Sequence, residues 1–407
     1  MLRSLNTGIS GLRAHQTMLD VTGNNIANVN TTGYKAARTQ FQDTLSQLVA
    51  AGVAPDQQVG GSNPAQIGLG VTTSAVTTQF TQGAAQTTGV PTDLMIDGDG
   101  FFVVERGGQQ YYTRNGAFSF DGSGRLVNAS GDLVQGWTAT GGRISSSGPV
   151  GPITIPVGAV VPPEATTSVT LGGNLPSDAA DGTEIVRDVE VFDERGGSSR
   201  MSLVFTATGG GWSVSARDGE TGAALAGPQA LTFADGKLTG GGALAVGGVR
   251  VDLGAVTSYA ELANVAVESK DGAAAGSLTS YSVAGDGSIV GRYSNGRTEV
   301  LGQVALATFT NPGGLEKAGG SLYAASQNSG DVLVGAAGDQ GLGSITSGAL
   351  EMSNVDLSQE FTNLIVSQRG FQANSRVITT SDEVLSELVN LKRFILNESR
   401  PPSLSFF

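Results

Sequence analysis

The sequence contains no cysteine and a single histidine, His15, among its 407 residues. These absences exclude disulfides, thiol nucleophiles, cysteine-type metal sites and any metal site with several histidine ligands. No apolar run reaches the eighteen or so residues that predict a transmembrane helix, so we expect no membrane insertion. The first twenty residues are amphipathic and do not resemble a conventional signal peptide. We expect the protein either to stay in the cytosol or to leave by a route that does not read such a peptide.

Charged residues are also scarce, at 14 % of the chain, against about a quarter in typical globular proteins. The 36 acidic residues outnumber the 23 basic ones and give a net charge of −13. Nucleic acid and anionic membrane surfaces are therefore disfavoured as partners, since both attract Lys and Arg. Glycine is abundant, with 61 residues, roughly twice the usual share. This composition favours turn-rich β structure.

Both ends of the chain carry apolar residues at heptad spacing, which predicts two long amphipathic helices. The N-terminal stripe consists of Leu5, Ile9, Leu12, Leu19 and Ile26. The C-terminal stripe, on a helix from about residue 355 to residue 397, consists of Leu357, Leu364, Phe371, Ile378 and Leu385. Two such stripes in one chain predict helices that pack on each other, on copies of themselves, or on a globular core.

The region from about residue 71 to residue 345 shows short alternating apolar runs and hardly any helical periodicity. Hairpin turns are predicted at Gly107-Gly108, Asn115-Gly116, Asp121-Gly122, Asp286-Gly287 and Asn295-Gly296. The segment of about 146–287 has strands of its own and holds 16 acidic and 7 basic residues, a net charge of −9. We interpret this segment as a solvated outer domain inserted into the first β domain.

The predicted fold is α+β and multidomain, with N- and C-terminal α-helices forming a coiled-coil-like inner domain and two nested all-β domains. The predicted segments are an N-terminal helix (1–30), an extended linker arm (31–70), the first half of a β domain (71–145), the inserted outer β domain (146–287), the second half of the first β domain (288–349) and the C-terminal helix (350–407). Gly- and Pro-rich composition between residues 50 and 70 favours the linker.

The residues that could carry catalysis do not form a recognisable constellation. Asp97 and Asp99 have the spacing of the first calcium ligands of an EF-hand, but the loop then lacks its closing glutamate, which favours a plain strand–turn–strand. His15 lies far in sequence from any candidate nucleophilic serine, so we interpret it as a surface or interface residue. We therefore expect no enzymatic activity, no metal and no cofactor.

The segment VTGNNIANVNTTGYKAARTQF, residues 21–41, combines Asn24, Asn25, Asn28 and Asn30 with glycine. Asparagine tolerates left-handed backbone and bonds its own backbone, so the cluster predicts one defined irregular path. Its central part, GNNIANVNTTGY, together with the C-terminal LEMSNVDLSQEFTNLIVSQRGFQANSRVITTSDEVLSELVNLKR, resembles the axial proteins of the bacterial flagellum, and within them the hook proteins. FTQGAAQTTGVPTDLMIDGDGFFVV and NPGGLEKAGGSLYAASQNSG are similar to further family motifs.

The large middle insert also resembles the hook proteins, whereas rod proteins of the same class lack one. VEVFDERGGSSRMSLVFTATGGGW is similar to the opening of the hook middle domain, although its Gly-Gly-Ser-Ser turn departs from the usual Gly-Asn pattern. The resemblance implies that Asn24, Asn25, Asn28, Asn30, Gly33 and Tyr34 belong to a signature arm that links the inner helices to the β domain and contacts neighbouring subunits.

The resemblance further implies a structural subunit that self-assembles into a helical homopolymer. This polymer would be a curved flexible tube, a universal joint that transmits torque from the rod to the filament. The implied partners are the subunit itself, the rod, the hook cap, the hook–filament junction proteins and the type III export apparatus. The implied location is the extracellular hook, reached without a cleaved signal peptide. The alternative is a distal rod protein or a hook-associated junction protein of the same class.

Overall fold

The computed structural model describes residues 2–55, 60–146, 148–155, 158, 160–339 and 341–398, with side chains described for all of these except 2 and 392–398. The chain forms two compact units. The first contains Met1–Ile155, Val283–Ile289 and Gly302–Phe407, and the second contains Pro156–Ser282 and Val290–Leu301. The part of the predicted C-terminal segment beyond residue 398 lies outside the described residues.

The limits of the second unit differ from those predicted for the inserted domain, 146 and 287. Residues up to Ile155 belong to the first unit because their backbone bonds to it. The amide of Ile153 donates to Val134 O (3.1 Å), and the amide of Ile155 donates to Gly124 O (2.7 Å). Both isoleucine side chains are fully buried there.

The terminal helices of the first unit are α1, Leu2–Ala27, and α2, Leu357–Glu398. Helix α1 continues through the first asparagines of the signature and ends at Ala27. Helix α2 begins at Leu357, after the predicted limit of 350, because Ala349–Glu351 forms a strand. Asp356 caps α2, since its Oδ1 accepts hydrogen bonds from Ser358 N (2.8 Å) and Gln359 N (3.2 Å). With 42 residues, α2 is about 63 Å long.

An arm of paired strands follows α1. Its strands are β1 Ala37–Asp43, β2 Ser46–Ala50, β3 Ala65–Gly68 and β4 Val71–Thr78. Strand β1 pairs antiparallel with β4, and β2 pairs antiparallel with β3. The predicted linker of residues 31–70 is therefore not extended along its length but folds back on itself. The sequence reason is the β-branched run of β4, which pairs readily with a neighbouring strand.

Twenty-six further strands follow β4 in the described residues. They are β5 Ala85–Thr87, β6 Leu94–Asp97, β7 Phe101–Arg106, β8 Gln109–Thr113, β9 Phe118–Phe120, β10 Leu126–Asn128, β11 Leu133–Thr138, β12 Gly151–Pro152, β13 Val160–Val161, β14 Ser168–Asn174, β15 Glu184–Phe192, β16 Ser198–Thr208, β17 Gly211–Asp218, β18 Ala224–Ala234, β19 Lys237–Gly240, β20 Ala243–Val246, β21 Val249–Thr257, β22 Ala266–Lys270, β23 Gly276–Val283, β24 Ser288–Tyr293, β25 Thr298–Phe309, β26 Glu316–Gly319, β27 Leu322–Ala324, β28 Val332–Ala336, β29 Ser344–Ser347 and β30 Ala349–Glu351.

We call residues 85–155 and 302–351 of the first unit the β body. Its strand β7 pairs antiparallel with β8, β11 and β25. Around Phe101 of β7, aromatic rings pack edge to face: Phe309 from β25, Tyr323 from β27 and Phe80, which precedes the β body, lie at 5.3–6.1 Å between centroids. Such T-shaped pairs are favourable beyond their buried area. The β body thus has its own aromatic core.

The second unit is built from strands of alternating polarity. Strands β15 to β18 form an antiparallel meander, and β14 runs parallel to β21. Inward residues such as Leu203, Phe205, Trp212 and Val214 are buried in one core cluster, while the alternate residues are more exposed, except for Val204, which is also buried. The predicted alternating strands are confirmed.

The predicted turns have mixed outcomes. Gly107-Gly108 joins the paired strands β7 and β8, and Asp121-Gly122 lies between the paired strands β9 and β10. Asn115-Gly116 was wrongly predicted as a hairpin turn, because β8 pairs with β7 and β27 and not with β9. Gly116 is instead required for close packing, since a side chain there would collide with the carbonyl oxygen of Leu94.

Candidate assembly site

The seam between α1 and α2 is lined by small and polar residues. The helices run antiparallel, because Gly8 lies against Ile378 and Asn25 Nδ2 donates to Glu360 Oε1 at 3.1 Å. The buried residues along the seam are Gly8, Gly11, Ala14, Thr22 and Asn25 on α1 and Ser367 on α2. Small residues let two helix backbones approach closely, so the pair packs without a continuous leucine core.

The predicted apolar stripes flank this seam. Leu5, Ile9, Leu12, Leu19 and Ile26 are half-buried, and so are Leu364, Phe371, Ile378 and Leu385 on α2, while Leu357 is exposed. The structure brings Ile378 to Gly8, with 3.1 Å between Ile378 Cγ1 and the place of a Gly8 Cβ. Their role as a subunit interface stays a prediction.

Helix α2 also exposes apolar side chains that sequence reasoning did not single out as a surface. The largest exposed ones are Phe361, Ile365, Val366, Val377, Val384, Leu388, Val389 and Leu391. Phe361 and Ile365 are 51 % and 50 % exposed and lie one turn apart on one flank of the helix. Exposed apolar area of this extent along a helix is typical of a surface that another protein covers.

The asparagine signature forms a hydrogen-bonded structure at the end of α1. Asn25 Oδ1 accepts bonds from Ala37 N (3.0 Å) and from the Tyr34 hydroxyl (3.2 Å). Asn24 Nδ2 donates to the same hydroxyl (3.0 Å), and Asn28 Nδ2 donates to Asn24 O (2.9 Å). Burial, together with the nearby Glu360 carboxylate, raises the pKa of Tyr34. The predicted defined path is therefore held by side chains of the signature itself.

The two other signature residues, Asn30 and Gly33, lie in different environments: Asn30 is exposed and Gly33 is buried. Gly33 has φ +67°, and a Cβ atom there would lie only 2.5 Å from Asn115 N. Its amide donates to the carbonyl oxygen of Glu351 at 2.8 Å. Glycine is required at position 33, because the backbone is left-handed and no space exists for a side chain.

A buried ion cluster lies where the signature meets the β body. Lys35 Nζ is 2.6 Å from Glu351 Oε1, and both side chains are fully buried. Arg114 approaches the other carboxylate oxygen at 3.5 Å and stacks over the Phe101 ring at 5.4 Å. Glu351 Oε1 also accepts the Gly83 amide at 2.8 Å, and Lys35 Nζ donates to Thr81 O at 2.7 Å. Three distant parts of the sequence therefore meet at one carboxylate.

The cluster holds two cations and one anion away from water. Burial lowers the pKa of Lys35, although its hydrogen bond and attraction to Glu351 oppose that shift. Burial likewise lowers the pKa of Arg114. Among the described residues, Arg114 Nε has no hydrogen-bond partner. Since a buried charge is tolerated only with its partner, Glu351 is the residue on which the cluster depends.

Asn354 completes what we call the junction, residues 31–37, 79–84, 114–115 and 349–354. Its Oδ1 accepts the Ala36 amide at 2.8 Å, and its Nδ2 donates to Gln79 O (2.9 Å) and Thr81 O (3.1 Å). The segment leaving α1 and the segment entering α2 are thus bonded to each other and to the β body. The junction fixes the base of the helix pair.

A cleft of about 520 Å³ lies between the helix pair and strand β1 of the arm. Its lining includes apolar Met18, Val21 and Phe41 together with the oppositely charged Arg38 and Glu360. Neither helix in the described residues is long and apolar enough to cross a membrane. The described part of the chain also holds no group of three acidic or histidine side chains that could bind a metal ion.

Sequence reasoning missed the ion cluster because its members are 316 and 237 positions apart. One signal was available: Lys35 directly follows the signature, and Glu351 precedes α2 in a segment otherwise poor in charge. A lone charge of each sign beside the two helix ends is consistent with a pair that joins them.

Family models place this chain, whose paired terminal helices are bonded through the junction to the β body, in the class of flagellar axial proteins. The model described as flagella basal body rod protein matches residues 5–35, the flagellar hook protein FlgE/F/G D1 domain matches 95–174, and the flagellar basal body rod FlgEFG protein C-terminal matches 346–391. The chain belongs to the flagellar hook protein FlgE family.

Similarity to individual flagellar hook and rod proteins extends over nearly the whole chain. The flagellar hook protein FlgE of Borreliella burgdorferi is 39 % identical over 96 % of this chain and 100 % of its own length. That of Treponema pallidum is 37 % identical over 97 % and 100 %. The flagellar basal-body rod protein FlgG of Bacillus subtilis is 34 % identical over 97 % and 100 %.

Among solved structures, the flagellar hook protein FlgE2 of Helicobacter pylori resembles this fold with a TM-score of 0.50 and 14 % identity. The match covers 66 % of this chain and 100 % of that one. At this identity the likeness concerns the fold alone. A mostly β chain with helical termini is therefore shared with a hook protein.

Proposed function

We propose that the chain is the structural subunit of the bacterial flagellar hook and has no enzymatic role. The observation that carries this proposal is the paired terminal helices with uncovered apolar flanks, in a chain whose full-length relatives are named hook proteins. A single subunit leaves these flanks in water. A helical homopolymer covers them through a contact that repeats from one copy to the next.

The ten stripe residues and the exposed flank of α2 form the inner contact in this proposal. The helix pairs line up as a tube, and the β domains lie outside it. Hook bending during rotation then requires each subunit to change its length along the line of neighbours once per turn. Packed units joined by short connections achieve this by hinge and shear motions without unfolding.

The junction transmits load in this arrangement. Torque that reaches the helix pair passes to the β body through the junction, where Lys35 pairs with Glu351 and the Gly33 amide donates to the Glu351 backbone. A buried network of ion pairs and hydrogen bonds is more rigid than a flexible linker of the same length. The rod, the hook cap, the hook–filament junction proteins and the export apparatus are the proposed partners, and the proposed location is the extracellular hook, reached by type III export.

A distal rod protein is the second candidate, because the rod protein FlgG of B. subtilis matches 97 % of the chain. Gene deletion with complementation separates the two candidates. Basal bodies isolated from the deletion strain should retain the rod and lack the hook, and the intact gene should restore hooks and swimming. Loss of the distal rod in electron micrographs would favour the second candidate and contradict the first.

A further inference from the structure

Two polar side chains in the seam of the helix pair each lie against a glycine of the opposite helix. A Cβ atom added to Gly11 would be 2.6 Å from Asn374 Oδ1. A Cβ atom added to Gly370 would be 2.5 Å from both Cε1 and Nε2 of His15. A methyl group at either position fits only if the polar side chain opposite it moves away. Each polar side chain therefore occupies a recess that glycine alone leaves open.

Both polar side chains are half-buried in the seam. Asn374 Nδ2 donates to Gly370 O at 2.8 Å on its own helix. His15 Nδ1 is buried and has no hydrogen-bond partner among the described residues. The His15 ring also meets Phe41 of the arm edge to face, with 5.8 Å between centroids. Packing against the glycine of the opposite helix therefore holds both side chains in place more than hydrogen bonds across the seam do.

A slide of one helical turn, about 5.4 Å, fails in either direction. In one direction His15 moves from Gly370 to Asn374, and two large polar groups collide. In the other direction Asn374 meets Gly8 in place of Gly11, but His15 meets Ser367, which is fully buried, and Gly11 faces Gly370. Two opposed glycines leave a void that forfeits the packing contacts of the seam.

Contacts at both ends of the pair keep the same register. Near the start of α1, Ser4 Oγ lies 3.5 Å from Ser381 Oγ. Near its end, Asn25 Nδ2 donates to Glu360 Oε1 at 3.1 Å. These contacts span 21 residues of α1, about 32 Å, and each is compatible with His15 facing Gly370. One register therefore satisfies the whole seam.

We propose that Asn374 in the Gly11 recess and His15 in the Gly370 recess form a register lock that prevents α1 from sliding along α2. A second part of this inference rests on the proposed function. Because α1 does not slide along α2, the change in length of a subunit in a bending hook occurs outside the helix pair. Polar residues at single seam positions are known to fix the register of packed helices at a cost in stability.

Cysteine cross-linking tests the lock, because the natural sequence contains no cysteine. The in-register pair is Ser4→Cys with Ser381→Cys, and the slipped pair is Ser4→Cys with Leu385→Cys, one turn further along α2. In the otherwise unaltered full chain, oxidation should cross-link the slipped pair at least about tenfold more slowly, which corresponds to about 1.4 kcal/mol. Comparable rates for the two pairs would overturn the lock.

Asn374→Ala in the slipped-pair background should raise the cross-linking rate several-fold, and His15→Ala should act in the same direction. Gln372→Ala, an exposed residue of α2, is the control and should leave the rate unchanged. Gly11→Ala alone should lower the thermal unfolding midpoint, and Asn374→Ala should relieve that loss in the double variant. An unchanged slipped rate, or equal effects of Gly11→Ala in both backgrounds, would refute the assignment.

The second part is tested in assembled hooks. Cells that carry the in-register pair should swim equally well before and after oxidation, with the cross-link verified on isolated hooks. Loss of swimming upon oxidation, with hook numbers maintained, would show that sliding within the helix pair is required. This result differs from a failure of the proposed function, in which even the unaltered chain would not restore hooks to the deletion strain.

Discussion

At the scale of single residues, the junction depends on two positions. One has no space for a larger side chain, and the other must carry a negative charge. Gly33 turns the backbone after α1 into the left-handed region beside Asn115. Glu351 balances two buried cations and accepts the Gly83 amide. These residues are coupled to each other, because the Gly33 amide donates to the Glu351 backbone. A change at either position should therefore disturb both helix attachments.

Gly33→Ala should destabilise the subunit by at least about 1 to 2 kcal/mol, the usual cost of a left-handed backbone for an alanine. The collision with Asn115 adds to that cost. Thermal unfolding of the purified chain measures it. Gly23→Ala is the matched control, because Gly23 lies within α1 and a Cβ atom there would meet nothing within 4 Å. The control should be stabilising by up to about 1 kcal/mol; equal losses for both variants would contradict the argument.

Glu351→Gln should cost about 3 to 5 kcal/mol, because it leaves two buried cations without their counter-charge. Lys35→Met should cost less, since Glu351 keeps Arg114 and the Gly83 amide. The double variant should be less destabilised than the sum of the single ones. Urea unfolding of the four proteins gives this comparison. Additive losses would mean that Lys35 and Glu351 do not act as a pair.

Asp271 provides a pH-dependent test in the second unit. Desolvation raises its pKa, but hydrogen bonds from the amides and hydroxyls of Ser168 and Thr167 outweigh that effect and lower the pKa to about 2. A lowered carboxyl pKa stabilises the fold above the unfolded value of about 4, and the contribution is lost as pH falls toward 2. Asp271→Asn should therefore be less stable than the natural chain at pH 7 and equally stable near pH 2, as measured by urea unfolding at each pH.

The sequence predicted the signature of the junction but not its ion cluster. Asn24, Asn25, Asn28 and Tyr34 lie within eleven residues, so their mutual bonding follows local rules of asparagine chemistry. The Lys35–Glu351 pair depends on how the two chain ends cross, and the single charges beside the helix ends do not by themselves identify a contact 316 residues apart. Asn115-Gly116 was misread for the same reason, since its partner is the distant Leu94 strand.

At the scale of elements, heptad spacing predicted both terminal helices but not what lies between them. The rule counts apolar residues, whereas the seam is set by Gly8, Gly11 and Gly370, which a hydrophobic pattern ignores. The apolar stripes consequently lie on the flanks of the pair. Their half-buried leucines remain available for contacts between subunits, as the proposed inner tube requires.

The flank of α2 should determine polymerisation more than subunit stability. Phe361→Ser with Ile365→Ser removes side chains that are half exposed, so unfolding of the monomer should change little. In the polymer each lost side chain costs about 1 kcal/mol or more, and together they should raise the critical concentration more than tenfold. Sedimentation of assembled polymer measures this effect.

The matched control replaces Thr362 and Thr380 by alanine, because these polar residues lie outside the i, i+4 row that Phe361 and Ile365 form on α2. Both are exposed. Polymerisation of this control should stay close to that of the natural chain. If the Phe361 and Ile365 variant assembled equally well, the exposed flank would not be a subunit contact, and the inner-tube arrangement would have to use another face.

At the scale of the whole molecule, the second unit is connected in a way that permits its nine-stranded sheet to be removed. Glu164 and Ala273 form an isolated antiparallel bridge, with both N–H···O distances at 3.0 Å. Such a hydrogen-bonded pair is the natural end of a two-residue hairpin. The chain between them, residues 165–272, holds strands β14 to β22 and the complete core cluster around Trp212.

Replacing residues 165–272 by Asn-Gly should give a chain that still folds, is exported and forms hooks. The junction, the arm and both helices lie outside the deleted segment, and domain insertions are tolerated where their ends meet. The shortened hooks should differ in curvature or stiffness, because an outer layer of contacts is lost. Electron microscopy of isolated basal bodies measures hook number and curvature.

A control that carries a two-residue Asn-Gly insertion after Gly222, in the β17–β18 turn, tests whether altered loops alone perturb assembly. Complete absence of hooks with the shortened chain, together with normal hooks for the control, would mean that the deleted sheet makes the main axial contacts and that the helix tube alone cannot hold the polymer together.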